Sequence, residues 1–375
     1  MVTTLTLPKW YDLHVHLRQG VPLKAYIKAQ LDMGCTGVLA MPNTQPPVAK
    51  ILKKDDGPYW SIESYLEEIK RAGGDKFTEV IVPLYLTRST TPEMIIEGAR
   101  LGILKACKYY PPHGTTNADH GAPFDFFIQN GVFEAMAETS TVLCVHGEKH
   151  GLKGSAYFDA KDNAETLFYK EEMPRLVDTL PRLRVVAEHI TTKVAADFVK
   201  NAPATVAATI TPQHLLYTVG DLIQGLKYHL YCLPVLKYEE DFQALRQAAT
   251  QDQSRKFFAG TDSAPHALKA TECGCAAGCF TGGIAPQLYA RAFEEAGVRL
   301  DTAQGENAFR AFLCENGPRF YRLPIPVETF VLEKEPQEVK PLETGEGARI
   351  TPLPLGLNEP LMKWSIGGKG SGLSF

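Results

Sequence analysis

The sequence predicts an α/β fold, a (β/α)₈ barrel of the TIM type with a C-terminal extension. Short apolar or β-branched runs alternate with longer amphipathic runs through most of the chain. Eight of the short runs predict strands, each followed by a helix or a loop. The same alternation also fits a doubly wound open sheet, so the strand count leaves both folds open.

The predicted strands are apolar runs bounded by turn-forming or polar residues. They cover Tyr11–His16, Gly37–Met41, Glu79–Leu86, Ile103–Tyr109, Thr141–His146, Arg184–His189, Thr205–Ile210 and Lys256–Thr261. The predicted helices cover Leu23–Met33, Ser61–Ala72, Pro92–Arg100, Phe124–Glu138, Asn163–Leu180, Thr192–Asn201 and Glu239–Thr250. One helix start is marked by Thr91 before Pro92, an N-cap residue followed by proline in the first turn.

The composition changes near residue 320, where proline and short β-prone pieces become frequent. We therefore predict one barrel domain over residues 1–320. Residues 321–375 are predicted to form an extension that packs on the barrel and has a flexible, glycine-rich end.

Charge and hydropathy exclude several classes of protein. The 375 residues carry a formal net charge of -4, which does not favour nucleic acid or an anionic membrane as a partner. No apolar run approaches the roughly 20 residues that span a bilayer, and no secretory signal is visible. The sequence predicts a cytoplasmic protein with a small-molecule partner.

Three of the eight cysteines form a short cluster, Cys273, Cys275 and Cys279. Their spacing differs from that of a zinc ribbon or finger, and no second half of such a site follows. We predict a tight loop of reduced thiols here rather than a metal site.

Metal-capable residues stand at the ends of several predicted strands. They are His14, His16, His146, His189 and Asp262. The carboxyl ends of barrel strands form one face, so these side chains are expected to converge there. A single His-x-His pair is weak evidence, but five buried polar groups without partners would cost several kcal/mol together. Imidazoles and a carboxylate without cysteine favour an open catalytic zinc site.

Lys108 lies in the fourth predicted strand and would face the same site. As a neutral amine it could add CO₂ and become a carbamate that bridges two metals. Alternatively, Lys108 could form a salt bridge or reach solvent, and Lys105 competes for the bridging role. Glu148 and Glu188 flank metal-capable histidines but are expected to point away from them and to play supporting roles.

An ordered set of motifs carries a resemblance to a known family. The motifs are His14-x-His16-x-Arg18, Met41–Pro47, Lys108-x-Tyr110-Pro111, Val145–Glu148, Glu188–Thr192, Thr209–His214, Tyr231–Pro234 and Gly260–His266. In this set the chain resembles dihydroorotases, and the short monofunctional bacterial and fungal-type branch is the more similar one.

The resemblance implies a site with two zinc ions. One zinc would be bound by His14, His16, carboxylated Lys108 and Asp262, and the other by Lys108, His146 and His189. The reaction implied is the reversible cyclisation of N-carbamoyl-L-aspartate to L-dihydroorotate in pyrimidine biosynthesis. Asp262, at the metals and facing the substrate, is suited to move the proton. The family also suggests a homodimer.

The resemblance also assigns substrate contacts. Arg18, Asn43 and His266 would hold the α-carboxylate, and the main chain of Leu233 and of 275–278 would meet the ring. This chain carries one alanine more than the expected pattern, so Ala276 and Ala277 both stay open for the ring contact. Thr115 and Thr116 resemble the mobile lid of this branch.

Two other functions fit parts of the pattern. A different cyclic amidohydrolase, such as a dihydropyrimidinase, hydantoinase or allantoinase, would share the metals and barrel. Arg18 and Asn43 argue against it, because a neutral ring needs no carboxylate clamp. A non-catalytic homologue would usually lack several ligands, whereas all six are present here.

Overall fold

Parallel strands alternate with helices along the chain, as the apolar pattern predicts. The computed structural model describes residues 2–251, 253–272, 274–345 and 347–367. The barrel strands, numbered first to eighth in chain order, are Trp10–Val15, Cys35–Ala40, Glu79–Ile81 with Leu84–Tyr85, Ala106–Tyr109, Val142–His146, Val185–Glu188, Val206–Ile210 and Phe257–Ala259.

Two seams join a three-stranded and a six-stranded parallel sheet into a ring. The third strand is interrupted at Val82–Pro83, pairing with the second strand before the break and with the fourth after it. Proline interrupts it because proline lacks the amide that a ladder needs. At the other seam, the Asp262 amide donates to the His14 carbonyl (2.8 Å) and the His16 amide to Ser263 (3.0 Å). The first and eighth strands are therefore neighbours, which excludes the open sheet.

Apolar side chains fill the barrel below the carboxyl ends of its strands. One buried cluster takes residues from all eight strands: Tyr11, Leu13, Leu39, Ile81, Ala106, Val142, Cys144, Val186, Ala207 and Phe258. This packed interior leaves polar chemistry to the rim.

Helices surround the strands. They are Leu23–Asp32, Ile62–Arg71, Pro92–Arg100, Phe124–Gln129, Val132–Thr139, Ala164–Leu167, Phe168–Glu172, Met173–Thr179, Lys193–Asn201, Pro212–Leu216, Val219–Ile223, Glu239–Gln251, Ala285–Glu295, Ala303–Arg310, Ala311–Glu315, Asn316–Tyr321 and Leu353–Gly356, with short 3₁₀ turns at Gly74–Lys76, Gly154–Ala156 and Tyr228–Leu230. The side chains of Ser61, Thr91 and Thr192 cap their helices by accepting from the amide three residues on.

Some predicted boundaries are wrong. The helix predicted over Phe124–Glu138 is two helices, because Gly131 between them has a φ of 81°. A left-handed residue cannot continue a right-handed helix. The fourth strand begins at Ala106 rather than Ile103.

The residues beyond 320 pair with the N-terminus of the chain. Thr329–Glu333 lies antiparallel between Thr4–Pro8 and Ser365–Ile366. Trp364 is buried, and its indole donates to Glu294 on an outer helix (3.0 Å). This packing favours an extension on a single barrel domain, and the division at residue 320 stays a prediction. The predicted flexible end beyond residue 367 lies outside the described residues.

Shorter strand pairs decorate the barrel and the extension. They are Val48–Lys50 with Trp60–Ser61, Ala270–Thr271 with Gly274–Cys275, Gln337–Glu338 with Leu361–Met362, and Leu342–Glu343 with Arg349–Ile350. Across the described ranges, none of the helices has both the length and the apolar character of a membrane span.

Candidate metal centre and active site

The predicted ligands meet at the carboxyl end of the barrel. The Nε2 atom of His16 lies 3.0 Å from Oδ1 of Asp262, and Nε2 of His14 lies 3.3 Å from the same oxygen. The ring of His189 lies between those of His14 and His146, with centroid separations of 4.9 and 4.8 Å. These five side chains are buried although they stand in loops and strands far apart in sequence.

The donor atoms fit a metal centre. Ligand atoms of His14, His16 and Asp262 lie within 4.8 Å of one another, and so do those of His14, Glu188 and His189. The Nδ1 atoms of His16 and His189 are buried without a hydrogen-bond partner. Buried orphan acceptors are costly, and a divalent cation would satisfy this set.

Lys108 is fully buried beside this cluster and forms an ion pair with Glu188. A second oxygen of Glu188 lies 3.2 Å from Nδ1 of His14. Burial raises the pKa of Glu188, but His14 and Lys108 outweigh it and lower that pKa to about 2. The Glu188 carboxylate is therefore an ionised member of the cluster.

The expectation that Glu188 points away from the ligands is wrong. Strand alternation puts Glu188 on the same inner side as Val186 of the interior cluster. His189 follows the strand with a φ of 40°, which turns its side chain inward as well. Alternation alone could not show that the adjacent residues Glu188 and His189 both face inward, because the single left-handed residue His189 breaks it.

Glu148 also faces a ligand rather than pointing away. Its Oε2 atom lies 2.7 Å from Nε2 of His146. A carboxylate on one imidazole nitrogen fixes the tautomer and leaves the other nitrogen free for a metal. Burial raises the pKa of Glu148, yet the contacts with His146 and the charge of Lys237 lower it overall. Nδ1 of His146 is thus the atom available to a cation.

Asp262 combines strain with strong hydrogen bonding. Burial raises its pKa, but hydrogen bonds from His14 and His16 outweigh burial and hold the pKa well below its usual value. Its φ of 47° lies in the left-handed region, which is costly for a non-glycine residue and concentrates at functional sites. Burial lowers the pKa of His16 to about 4, so its imidazole is neutral and able to bind a cation.

Asp12 is a buried carboxylate whose role was not predicted from the sequence. Its carboxylate accepts from the Thr261 amide (3.0 Å), the Thr261 hydroxyl (2.7 Å) and Gln30 (3.1 Å). It therefore joins the first strand to the residue before Asp262. The available signal was an ionisable residue in a strand whose burial the sequence predicts.

The cavity above the ligands has a volume of about 20 Å³. The predicted substrate residues that line it are Arg18, Asn43, Thr115, Thr116, Leu233 and Ala277, together with Gly278. The side-chain amide of Asn43 donates to the Thr116 carbonyl (3.0 Å), so the segment with both threonines lies closed over the site.

His266, Ala276 and Ala277 lie at different positions relative to this cavity. His266 lies 3.4 Å from an Arg18 nitrogen and donates from Nε2 to the Ala277 carbonyl (2.8 Å). Ala276 does not line the cavity, because its amide donates to the Lys269 carbonyl and its carbonyl accepts from the Lys269 ammonium. Of the two alanines, Ala277 is the one that faces the site.

The cysteine loop borders this cavity. Cys275 and Cys279 are free thiols, and Cys273 lies outside the described residues. Neither metal-capable group found among the described residues contains a cysteine.

Fold and site together define a metal-dependent hydrolase of the amidohydrolase class: a (β/α)₈ barrel whose rim carries buried histidines and carboxylates. No protein-family model matches the chain. The dihydroorotase of Halorhodospira halophila is 40% identical over 358 residues, which cover 94% of this chain and 96% of that protein. The chain therefore belongs to the dihydroorotase family.

Solved structures agree with this assignment. The dihydroorotase of Saccharomyces cerevisiae, determined with 5-fluoroorotic acid, matches with a TM-score of 0.83 and 28% identity over 97% of this chain and 98% of that one. An L-hydantoinase from Arthrobacter aurescens matches with a TM-score of 0.70 but 15% identity, over 97% and 84% of the two chains. The hydantoinase similarity shows the shared fold alone.

Proposed function

We propose that the chain catalyses the reversible cyclisation of N-carbamoyl-L-aspartate to L-dihydroorotate in pyrimidine biosynthesis. One observation carries this proposal: the metal-capable cluster and the side chains of Arg18 and Asn43 line the same closed cavity. A substrate with both a hydrolysable cyclic amide and a carboxylate would use both parts. A neutral hydantoin ring would leave the Arg18 guanidinium without a carboxylate to bind.

Two zinc ions are the proposed cofactors. His14, His16 and Asp262 would hold one ion, His146 and His189 the other, and Lys108, carboxylated by addition of CO₂ to its neutral amine with loss of a proton, would contact both. The unpartnered imidazole nitrogens and the burial of Lys108 support this set. When bound, zinc lowers the pKa of water to about 7 and polarises a carbonyl.

The protein itself supplies a proton carrier. Ring opening breaks the bond between the ring carbonyl and nitrogen, adds water oxygen to that carbon, and needs a proton at the nitrogen. Asp262 lines the cavity, so its carboxylate would accept the proton of water and deliver it to the leaving nitrogen. Cyclisation runs the same transfers in reverse.

Substrate would be oriented by charge and by main-chain groups. Arg18 can bind the α-carboxylate through two parallel hydrogen bonds, with Asn43 and His266 beside it. Leu233 and Ala277 would meet the ring amide through their main chains, and the hydroxyls of Thr115 and Thr116 would close over it. A homodimer and a cytoplasmic location are further proposals, which depend on the family resemblance.

The direct test is loss of dihydroorotate absorbance, with dihydrouracil as the comparison substrate. We expect turnover of dihydroorotate that a chelator abolishes and zinc restores, and little turnover of dihydrouracil. Equal rates on both rings, or full activity after removal of all metal, would contradict the proposal.

The Arg18→Met variant tests the carboxylate clamp. Removing one member of a buried charge pair costs about 2–5 kcal/mol, so we expect kcat/KM for dihydroorotate to fall by roughly 30-fold or more. Most of the loss should be in KM, and the metal content should be unchanged. Exposed Arg71→Met is the matched control, and an Arg18→Met enzyme with the parent KM would refute the clamp.

A further inference from the structure

Lys269 connects the loops that follow the seventh and eighth barrel strands. Its ammonium donates to the carbonyls of Tyr231 (2.8 Å), Ala276 (2.6 Å) and Gly278 (2.6 Å). A lysine ammonium has three donors, so all three are used on main-chain oxygens. Such charge-assisted hydrogen bonds are stronger than those between neutral groups.

The same two loops are also joined through their main chains. The Gly278 amide donates to the Tyr231 carbonyl (2.9 Å), and the Ala276 amide donates to the Lys269 carbonyl (2.8 Å). The Tyr231 carbonyl thus accepts two hydrogen bonds, one from the Lys269 ammonium and one from the Gly278 amide. Lys269 closes the loop on itself and fastens it to the preceding one.

The three hydrogen bonds of Lys269 lie next to residues that line the active-site cavity. Leu233 stands two residues after Tyr231, and Ala277 stands between the two other carbonyls that Lys269 binds; both line the cavity. The Ala277 carbonyl in turn accepts from His266, beside Arg18. The ammonium therefore sits behind the cavity wall and holds the main chain in place without touching the cavity.

Three carbonyl oxygens that converge on one point repel one another unless a cation lies between them. The Lys269 ammonium supplies this cation. Gly278 has a φ of 143°, and a Cβ there would lie 2.7 Å from Cβ of Ala264, so only glycine fits at this point of the loop. Burial lowers the pKa of Lys269, in keeping with a charge held away from water.

We infer that Lys269 is a positioning residue that sets the main-chain groups of Leu233 and Ala277 for the substrate ring. The inference rests on the proposed function, since that function places the ring against these two residues. It adds a determinant of ring binding that lies outside the metal cluster and the carboxylate clamp.

The test compares Lys269→Met with Lys269→Arg and with exposed Lys227→Met as the matched control. Methionine keeps the length of the side chain but donates no hydrogen bond. A displacement of about 1 Å in a positioning group can cost about 10²-fold. We expect Lys269→Met to raise KM for dihydroorotate, and the dissociation constant for orotate by calorimetry, by at least about tenfold. Its kcat should fall less, and its metal content should match the parent.

Arginine keeps the charge but is a planar fork, so Lys269→Arg should lie between the parent and the methionine variant. If Lys269 only stabilised the fold, Lys269→Met would have a lower thermal stability and a lower metal content than the parent. Its kcat and its kcat/KM would then fall by similar factors. Parent values of KM and orotate affinity in Lys269→Met would overturn the inference.

Two outcomes separate this inference from the proposed function. If the parent enzyme turns over dihydroorotate and Lys269→Met does so with unchanged KM, only the inference fails. If the parent enzyme does not act on dihydroorotate, the proposed function fails first. Should Lys269→Met not fold, Lys269→Gln decides, because glutamine has no charge and only two N–H donors. Parent KM and orotate affinity in Lys269→Gln would contradict the inference.

Discussion

Asp262→Asn should lower kcat by about 10³-fold or more, with a much smaller change in KM for dihydroorotate. A positioned acid–base group contributes about 10²–10⁴-fold, and asparagine keeps the shape of the side chain but cannot accept the proton. Substrate binding should persist because Arg18, Asn43 and His266 do not depend on this carboxylate. Steady-state kinetics in both directions, with metal content measured on the same preparation, tests this expectation.

The control must separate proton transfer from metal loss. Asp262 contacts His14 and His16, so asparagine could also weaken cation binding. Excess zinc in the assay addresses this point, and exposed Asp301→Asn serves as the matched surface variant. A fully metallated Asp262→Asn enzyme with kcat within tenfold of the parent would remove Asp262 from the role of proton carrier.

The strand ends were predictable because the apolar pattern locates each strand and the barrel geometry places all their carboxyl ends on one face. Barrel strands run parallel, so residues at their carboxyl ends share one face whatever their separation in sequence. His146 and Asp262 could therefore be placed near His14 from the sequence alone. The apolar pattern predicted each strand to within a few residues, and the closure of the barrel followed from the contact of Asp262 with the first strand.

The supporting residues were not predictable in the same way. Glu188 and His189 are adjacent and yet both join the cluster, because His189 adopts a left-handed conformation, which no periodicity reveals. Lys269 acts on carbonyl groups, and carbonyl groups are identical at every residue of a sequence. Asp12 was visible as an ionisable residue in a predicted strand, but its partner Thr261 lies 249 positions away. Loop geometry and long-range partners need the folded chain.

The pairing of Lys108 with Glu188 raises a sharper question about the metal bridge. As an ammonium, Lys108 would neutralise Glu188; as a carbamate, it would carry a negative charge beside that carboxylate. The second state is favourable only if cations are bound in the same cluster, because like charges at this distance repel strongly when buried. The two states therefore predict opposite responses to chemical rescue of a variant that lacks the lysine.

Lys108→Ala should abolish measurable turnover and bind much less than the parent amount of zinc. It also leaves Glu188 as a buried charge without its partner, which costs about 3–5 kcal/mol, so loss of activity alone would not identify the carbamate. The Lys108→Met, Glu188→Gln double variant removes both charges and is the control for stability. It should recover the thermal stability but not the bound zinc.

Chemical rescue of Lys108→Ala distinguishes the two states of the lysine. A short carboxylic acid, such as propionate, can occupy the space of the missing side chain and present two oxygens to the cations. An alkylammonium of similar size would instead restore the pairing with Glu188. If Lys108 is carboxylated, the acid should restore zinc binding and a fraction of kcat, while the ammonium should not. Recovery with the ammonium alone would show that the lysine acts as the partner of Glu188, and the two-zinc carbamate bridge would have to be abandoned.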